Sequence, residues 1–290
     1  MTKILTIIVT YNGMKWLDKC LSSVKDSSLP SDLFIVDNGS ADGSIEFIER
    51  NYPEATFIKS EKNLGFGRAN NLGFNHAIEN NYDYVYLLNQ DAWIESDTFE
   101  KMITVSENNP TFAILSPLQT NKDKDKLDHN FNGCIPPQFI SDSICRQPIQ
   151  EIYPTFFTMA AHWLIPVSEL KIIGGFSPAF PHYGEDNNLI QRAQYLGYEI
   201  GIVPAVIGVH DRENRPSSKD KRRYMNYINT LIILNNPNNK HLGLKFLKRM
   251  IGFTLHPSRY TINYFFKSFS AYFSSRKYRE ASLRQGAFLS

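Results

Sequence analysis

The chain has 290 residues, with 31 Lys and Arg against 29 Asp and Glu, and is 42% apolar and 13% aromatic. That length and apolar content suffice for one large domain or two modest ones, and they exclude disorder, collagen-like repeats and coiled coil. Cys20, Cys134 and Cys145 share no metal-ligand or redox spacing, and no apolar run reaches a spanning helix. Ile4–Val9 is too short for a signal-peptide core, so a soluble chain kept reduced inside the cell is expected.

A net charge of +2 hides an asymmetry: residues 215–290 hold 15 Lys and Arg against only Asp220 and Glu280, leaving residues 1–214 at −11. Opposite signs on two parts of one chain suggest two jobs. The expected division is a catalytic body, 1–214, made of a donor half (1–118) and an acceptor half (119–214), followed by a basic, aromatic-rich helical region, 215–290.

Strand and helix patterns alternate over the first hundred residues. Ile4–Val9 is a continuous apolar run, as in a strand covered on both faces. Trp16, Leu17, Cys20, Leu21 and Val24 follow at helical spacing. Leu33–Val36, Thr56–Lys59 and Tyr84–Leu88 read as three further strands, separated by helices through Ile45–Ile48 and Ala69–Ile78 and followed by one through Phe99–Ser106. This alternation predicts an α/β fold with a doubly wound, mostly parallel sheet, whose functional loops lie at the carboxyl ends of the strands. Asn121–Gln150 breaks the pattern, with alternating charges over Lys122–Asp128 and Pro136-Pro137, and reads as a variable, mobile loop over the site. Ile202–Val209 reads as a later strand.

Polar groups gather where such a sheet binds ligands. Thr10-Tyr11-Asn12, Asp37-Asn38-Gly39-Ser40, Asn63-Leu64-Gly65 and Asn89-Gln90-Asp91 each follow one of the first four strands. Any one of them is an ordinary turn sequence; four in register point to a site.

Ile7–Asn12, Val36–Ser40, Asn63–Gly65, Leu88–Ala92 and Gly184-Glu185-Asp186 resemble, in order, the motifs of family 2 glycosyltransferases, inverting enzymes of the GT-A fold that use nucleotide-sugar donors. The likeness runs from about Lys3 to His210, and the Asn89-Gln90-Asp91 variant looks most like the rhamnosyl- and galactofuranosyl-transferase branch. The resemblance implies that Thr10, Tyr11, Asn12, Asp37, Asn38, Asn63, Gly65, Arg68, Asn89 and Gln90 surround the donor, with Asp37 on the base or ribose. It implies that Asp91 and His210 hold Mg²⁺ or Mn²⁺, the cation that offsets charge on the departing diphosphate. It further implies that Asp186 is the base that deprotonates the acceptor, with Glu185 in support. Asn89 stands where the family has an Asp. Read structurally, Asp91 is a cap, the lone His210 a strand-end residue, and Glu185-Asp186 the acids of a helix first turn.

In the tail, Tyr224–Ile232, Leu242–Phe253 and Ile262–Phe273 are helix-spaced, with Phe and Tyr interleaved with Lys and Arg. This pattern fits an anionic membrane surface on the inner face of the cell membrane, or helices that pack on the body or form a dimer interface. No recognised motif accompanies the charge, so nucleic acid is not an expected partner. The expected partners are a nucleotide-sugar donor and a glycan or lipid-linked saccharide acceptor on a growing surface polysaccharide. The rival readings are a degenerate, non-catalytic transferase that binds nucleotide or glycan, favoured only by Asn89, and a sugar nucleotidyltransferase. The latter needs a basic glycine-rich loop after the first strand, and Thr10–Gly13 contains no Lys or Arg.

Overall fold

The computed structural model describes residues 2–212, 218–254 and 259–289. The boundary expected between 214 and 215 and the side chain of Phe253 lie outside the described set. The elements run β1 (Ile4–Thr10), α1 (Met14–Lys25), β2 (Asp32–Asp37), α2 (Ser44–Asn51), β3 (Thr56–Lys59), α3 (Phe66–Glu79), β4 (Tyr84–Asn89), β5 (Ala92–Ile94), α4 (Thr98–Asn108) and β6 (Phe112–Thr120). After a 3₁₀ turn at Phe131–Cys134 come α5 (Pro137–Ile144), β7 (Tyr153–Pro154), β8 (His162–Pro166), α6 (Val167–Ile173), α7 (Glu185–Tyr195) and β9 (Glu199–His210). The chain then continues through α8 (Lys219–Asn235), α9 (Leu242–Thr254) and α10 (Arg259–Ser282).

Nine strands form one sheet in the order β3-β2-β1-β4-β8-β6-β9-β5, with β7 on β9. β3, β2, β1 and β4 are mutually parallel, and β8 turns antiparallel beside β4. β1 shows why its apolar run lacks alternation: Ile4 and Ile8 enter one core with Leu17, Leu21 and Phe99, while Leu5 and Ile7 enter the opposite core with Phe74, Trp163 and Phe176. Both faces are covered by helices, so both phases of the strand must be apolar. Pro117, inside β6, lacks a ladder donor, and the β6–β9 register shifts there.

Residues 121–150 are more structured than a loose loop. They carry the 3₁₀ turn and α5, and Asp128 N–H donates to Gln119 O at 2.9 Å, pinning the stretch to the end of β6. Phe131 and Cys134 are buried with Met159 and Ile202.

The C-terminal helices pack against the body. Asn188 Nδ2 on α7 donates to Asn235 O on α8 at 3.1 Å, and Asn238 Nδ2 donates back to Gln191 O at 2.8 Å. Phe180, Ile228, Leu231, Leu234, Phe246 and Met250 form their own apolar cluster. Beyond α10 the chain returns to the body, at α6, the loop after it and α7. Gly286 N–H donates to Ile172 O, Gly175 N–H to Ala287 O at 2.8 Å, and the fully buried Arg192 guanidinium donates to Gly175 O and Ala287 O. Gly174 is at φ +86°, and a Cβ there would lie 2.1 Å from Ala287 O, so glycine is required for this closure.

Candidate active site

The donor side is assembled from the strand ends by hydrogen bonds between loops. Gln90 Oε1 accepts from Thr10 Oγ1 at 2.8 Å and Tyr11 N–H at 2.9 Å, while its amide donates to Tyr11 O at 3.3 Å. A Cβ at Gly13 would lie 2.4 Å from that Gln90 oxygen, so the latch exists because residue 13 has no side chain. Asn12, at φ +48°, receives Ala41 N–H on its side-chain oxygen and gives its own N–H to Ser40 Oγ. Asp42 receives Met14 N–H at 3.0 Å and Ser44 Oγ at 2.5 Å, tying the first two strand-end loops together.

Asp37 closes the turn at the end of β2. It is fully buried; Gly39 and Ser40 amides donate to one oxygen at 2.9 and 2.8 Å, and Ser40 Oγ donates to the other at 2.5 Å. These three bonds shape the turn and leave Oδ2 with a single partner among the described residues. Asn38 is also buried and accepts from Leu64 N–H at 3.1 Å, and Asn63 caps the approach to α3 by accepting Gly65 N–H at 2.8 Å. Gly65 takes φ +80° to start that helix. Tyr11 and Arg68 are exposed, and Arg68 has no hydrogen bond or ion pair among the described residues. Asn89 and Gln90 are half-buried.

β5 pairs with β9 so that Ala92 faces His210 in the ladder, which sets Asp91 beside His210. Asp91 Oδ1 lies 3.4 Å from His210 Nε2, and the buried Nδ1 lies 3.9 Å from Asp128 Oδ2 and has no hydrogen-bond partner. Asp128 is 3% exposed, held by the Asn130 and Phe131 amides, and 3.8 Å from the Arg212 guanidinium. Burial opposes charge on Asp91, but the hydrogen bond and charge of His210, the residue's own amide and Arg212 bring it below the usual carboxylate range. Next to this pair, burial drives His162 down to about 3. It is therefore neutral, with Nε2–H donating to Val209 O and Nδ1 accepting from Tyr86 OH, each at 3.0 Å.

Among the described residues no group of three or more His, Cys, Asp and Glu forms a cation cage. The Asp91–His210 pair fits a divalent ion that also takes oxygens from a ligand: one hard carboxylate and one imidazole whose Nε2 is an acceptor when Nδ1 carries the proton. Asp128, facing Nδ1, favours that tautomer.

Glu185 and Asp186 open α7 behind Gly184, which sits at φ +88° against Ile228 and Phe180. Glu185 is 6% exposed, and its Oε2 has no partner. Burial, with a smaller contribution from the charge of Asp186, pushes it up to about 7 despite its own amide. Asp186 is half-buried and accepts from Asn187 N–H at 2.7 Å and from the Asn187 side-chain amide at 3.1 Å. Burial raises it as well, against those bonds and the charge of Arg212. Arg212 therefore lies against Asp128, and its charge lowers both Asp91 and Asp186. Asp128 and Arg212 are absent from the sequence-derived set. Arg212 carried one signal, lying two residues after His210; Asp128 sat inside a stretch of alternating charges and carried none.

A doubly wound sheet that turns antiparallel beside β4, with polar strand ends facing an acidic helix start, defines the GT-A glycosyltransferase fold. Residues 6–164 match the sequence profile of glycosyl transferase family 2, and the chain belongs to that family. It resembles the cholesterol galactosyltransferase of Borreliella burgdorferi, 30% identical over 101 residues, or 34% of this chain and 27% of that protein. The match thus spans about a quarter of that relative. S. aureus TarS 1-349, also solved with UDP and with UDP-GlcNAc, aligns with a TM-score of 0.61 and 17% identity over 98% of this chain and 83% of that one. The mannosyltransferase PcManGT from Pyrobaculum calidifontis, in complex with GDP-Man and Mn²⁺, aligns with a TM-score of 0.57 and 16% identity over 97% and 84% of the two chains.

Proposed function

We propose that the protein is an inverting hexosyltransferase of the rhamnosyl-like branch. It would carry a sugar from dTDP-rhamnose or a UDP-sugar to a hydroxyl of a growing surface glycan or lipid-linked saccharide. The observation that supports this reading is the charge of Arg212 acting both on Asp186 at the start of α7 and on Asp91 beside His210. In a single displacement the acceptor O–H gives its proton to Asp186 as the oxygen bonds to the anomeric carbon. The bond from that carbon to the diphosphate oxygen breaks, and the electron pair leaves with the nucleoside diphosphate. A carboxylate whose proton affinity is raised by burial is a better base than one in water. Glu185, near half-protonation at neutral pH, holds the acceptor by hydrogen bonding and supports Asp186. Asp91 and His210 would hold Mg²⁺ or Mn²⁺, which when bound supplies positive charge to the leaving diphosphate. Arg212 adds a fixed positive charge on the same side.

The donor assay uses dTDP-rhamnose, UDP-galactose in both ring forms, UDP-glucose, UDP-N-acetylglucosamine and GDP-mannose with Mg²⁺ or Mn²⁺, and reads release of nucleoside diphosphate. One donor is expected to turn over, EDTA to abolish the turnover, and Asp186→Asn to lower it by about 10²- to 10⁴-fold with the fold intact. Undiminished turnover in Asp186→Asn refutes the base assignment. Asn89 favours a second reading, a degenerate module, and nucleotide binding without turnover of any donor, even with acceptor glycan present, would establish it.

A further inference from the structure

The tail aromatics divide between two opposite sides of the same helices. On α10 the buried side is made of Ser268, Ala271 and Ser275, and on α9 of Phe246 and Met250. Turned the other way on α10, at spacings of four, three and four, stand Ile262, Phe266, Phe269 and Phe273; Phe266 is 65% and Phe273 66% exposed. α9 adds Leu244, Leu247 and Ile251, all at least half exposed. The helices touch through Phe246, whose ring is stacked 4.4 Å from Tyr272 and lies 6.4 Å from Phe269, so the two stripes adjoin. The bundle already has a core in Phe180, Ile228, Leu231, Leu234, Phe246 and Met250, and the outward stripes are surplus to it. A contiguous apolar surface of this kind on a soluble domain marks an interaction site.

The charges around it select the occupant. Lys248, Lys267 and Lys277 are exposed beside the stripes, and none pairs with an acid among the described residues; Arg276 is held by Glu280, one of two acids in the whole tail. A second copy of the chain would bring the same positive charge against itself. A surface that offers apolar insertion together with negative charge fits better, and anionic phospholipid offers both.

We propose that the α9–α10 face docks the protein on an anionic phospholipid bilayer. No helix among the described residues is long and apolar enough to cross a membrane, so this contact lies in the interface. The bundle also abuts the acceptor side of the cleft: Tyr224 OH on α8 donates to His182 O at 2.9 Å, and Ile228 and Ile232 wall in Gly184 beside Glu185 and Asp186. Docking therefore brings an acceptor carried at the bilayer surface toward Asp186. This last step rests on the transferase reading; the docking itself does not.

The test is flotation of the full chain with phosphatidylcholine vesicles, with and without phosphatidylglycerol, at low and high salt. Two variants accompany it: Leu247→Ser/Phe266→Ser/Phe273→Ser, and Lys248→Glu/Lys267→Glu/Lys277→Glu. The wild type is expected to float with phosphatidylglycerol vesicles at low salt and to lose binding in high salt. Each variant should lower partitioning by on the order of tenfold or more, with its melting temperature and acceptor-free donor hydrolysis unchanged. If the serine variant does not fold, the charge-reversed variant carries the test. Absence of flotation, or flotation of the folded serine variant equal to wild type, overturns the proposal. A wild-type dimer that the serine variant splits, without vesicle binding, assigns the face to a second copy instead. Flotation without turnover of any donor leaves the docking standing and removes only the acceptor step.

Discussion

Glu185→Gln tests whether the start of α7 stores a carboxyl that resists ionisation. The side chain is 6% exposed with one oxygen unpartnered, and burial lifts it from 4.5 to about 7. A carboxyl with a raised value in the folded state binds its proton more tightly there than in the unfolded chain, so folding loses stability as pH rises. The loss begins near the unfolded value of 4.5 and is complete above the folded value of about 7. A shift of about 2.5 units at about 1.4 kcal/mol each is about 3 kcal/mol in all, of which about 2–3 kcal/mol falls between pH 5 and pH 8.5. Glutamine keeps the shape and cannot ionise, so it escapes this loss; the charge of Asp186 is common to both proteins and largely cancels. Urea unfolding at the two pH values is the assay. The expected result is near-equal stability at pH 5 and a variant more stable by about 2–3 kcal/mol at pH 8.5. A stability difference that does not change with pH would refute the reasoning and show that Glu185 is ionised in the folded protein.

Other perturbations address the parts that hold the site in place. Asp128→Asn removes the carboxylate facing His210 Nδ1 and should weaken Mn²⁺ binding by about 10- to 100-fold, read by the free-Mn²⁺ resonance in titrations; unchanged Mn²⁺ affinity would separate Asp128 from His210. Gly174→Ala puts a Cβ 2.1 Å from Ala287 O at φ +86°. It should cost about 2–4 kcal/mol and expose Arg284 to trypsin; wild-type protection at Arg284 would mean that the closing segment is held without this contact.

The parallel half of the sheet is legible because its strands are buried on both faces: Ile4–Val9, Leu33–Val36 and Tyr84–Leu88 have no solvated phase, and their polar ends therefore stand out. The same logic explains Asp37. Its type and position mark a strand-end turn, but only the fold reveals that the Gly39 and Ser40 amides and the Ser40 hydroxyl bind its carboxylate. Asp128 was hidden for the opposite reason. Lys122–Asp128 alternates in sign like a solvated loop, and the burial of its last residue comes from a tertiary bond to Gln119 that leaves no local signal. Arg192 carried no signal in the sequence, yet it is fully buried, donates to two carbonyls and has its proton affinity lowered by burial to about 9. Helical spacing in the tail marks amphipathic helices without saying which aromatics turn inward; Phe246 does and Phe273 does not.

Three carboxyls around one cleft, with different fates, are what links this fold to its chemistry. Asp91 has a partner for its charge in His210 and stays ionised, as a cation ligand must. Glu185 has only its own amide and is about half-protonated near neutral pH. Asp186 is raised by burial, against the hydrogen bonds of Asn187 and the charge of Arg212. For the proposed base this direction is the useful one, because a carboxylate that is too stable takes no proton from a hydroxyl. The three states do not come from residue type, since Asp91 and Asp186 are both aspartates. They follow from what the backbone brings beside each: the β5–β9 ladder for Asp91, the packing of α8 on Gly184 for Glu185, and the first turn of α7 for Asp186.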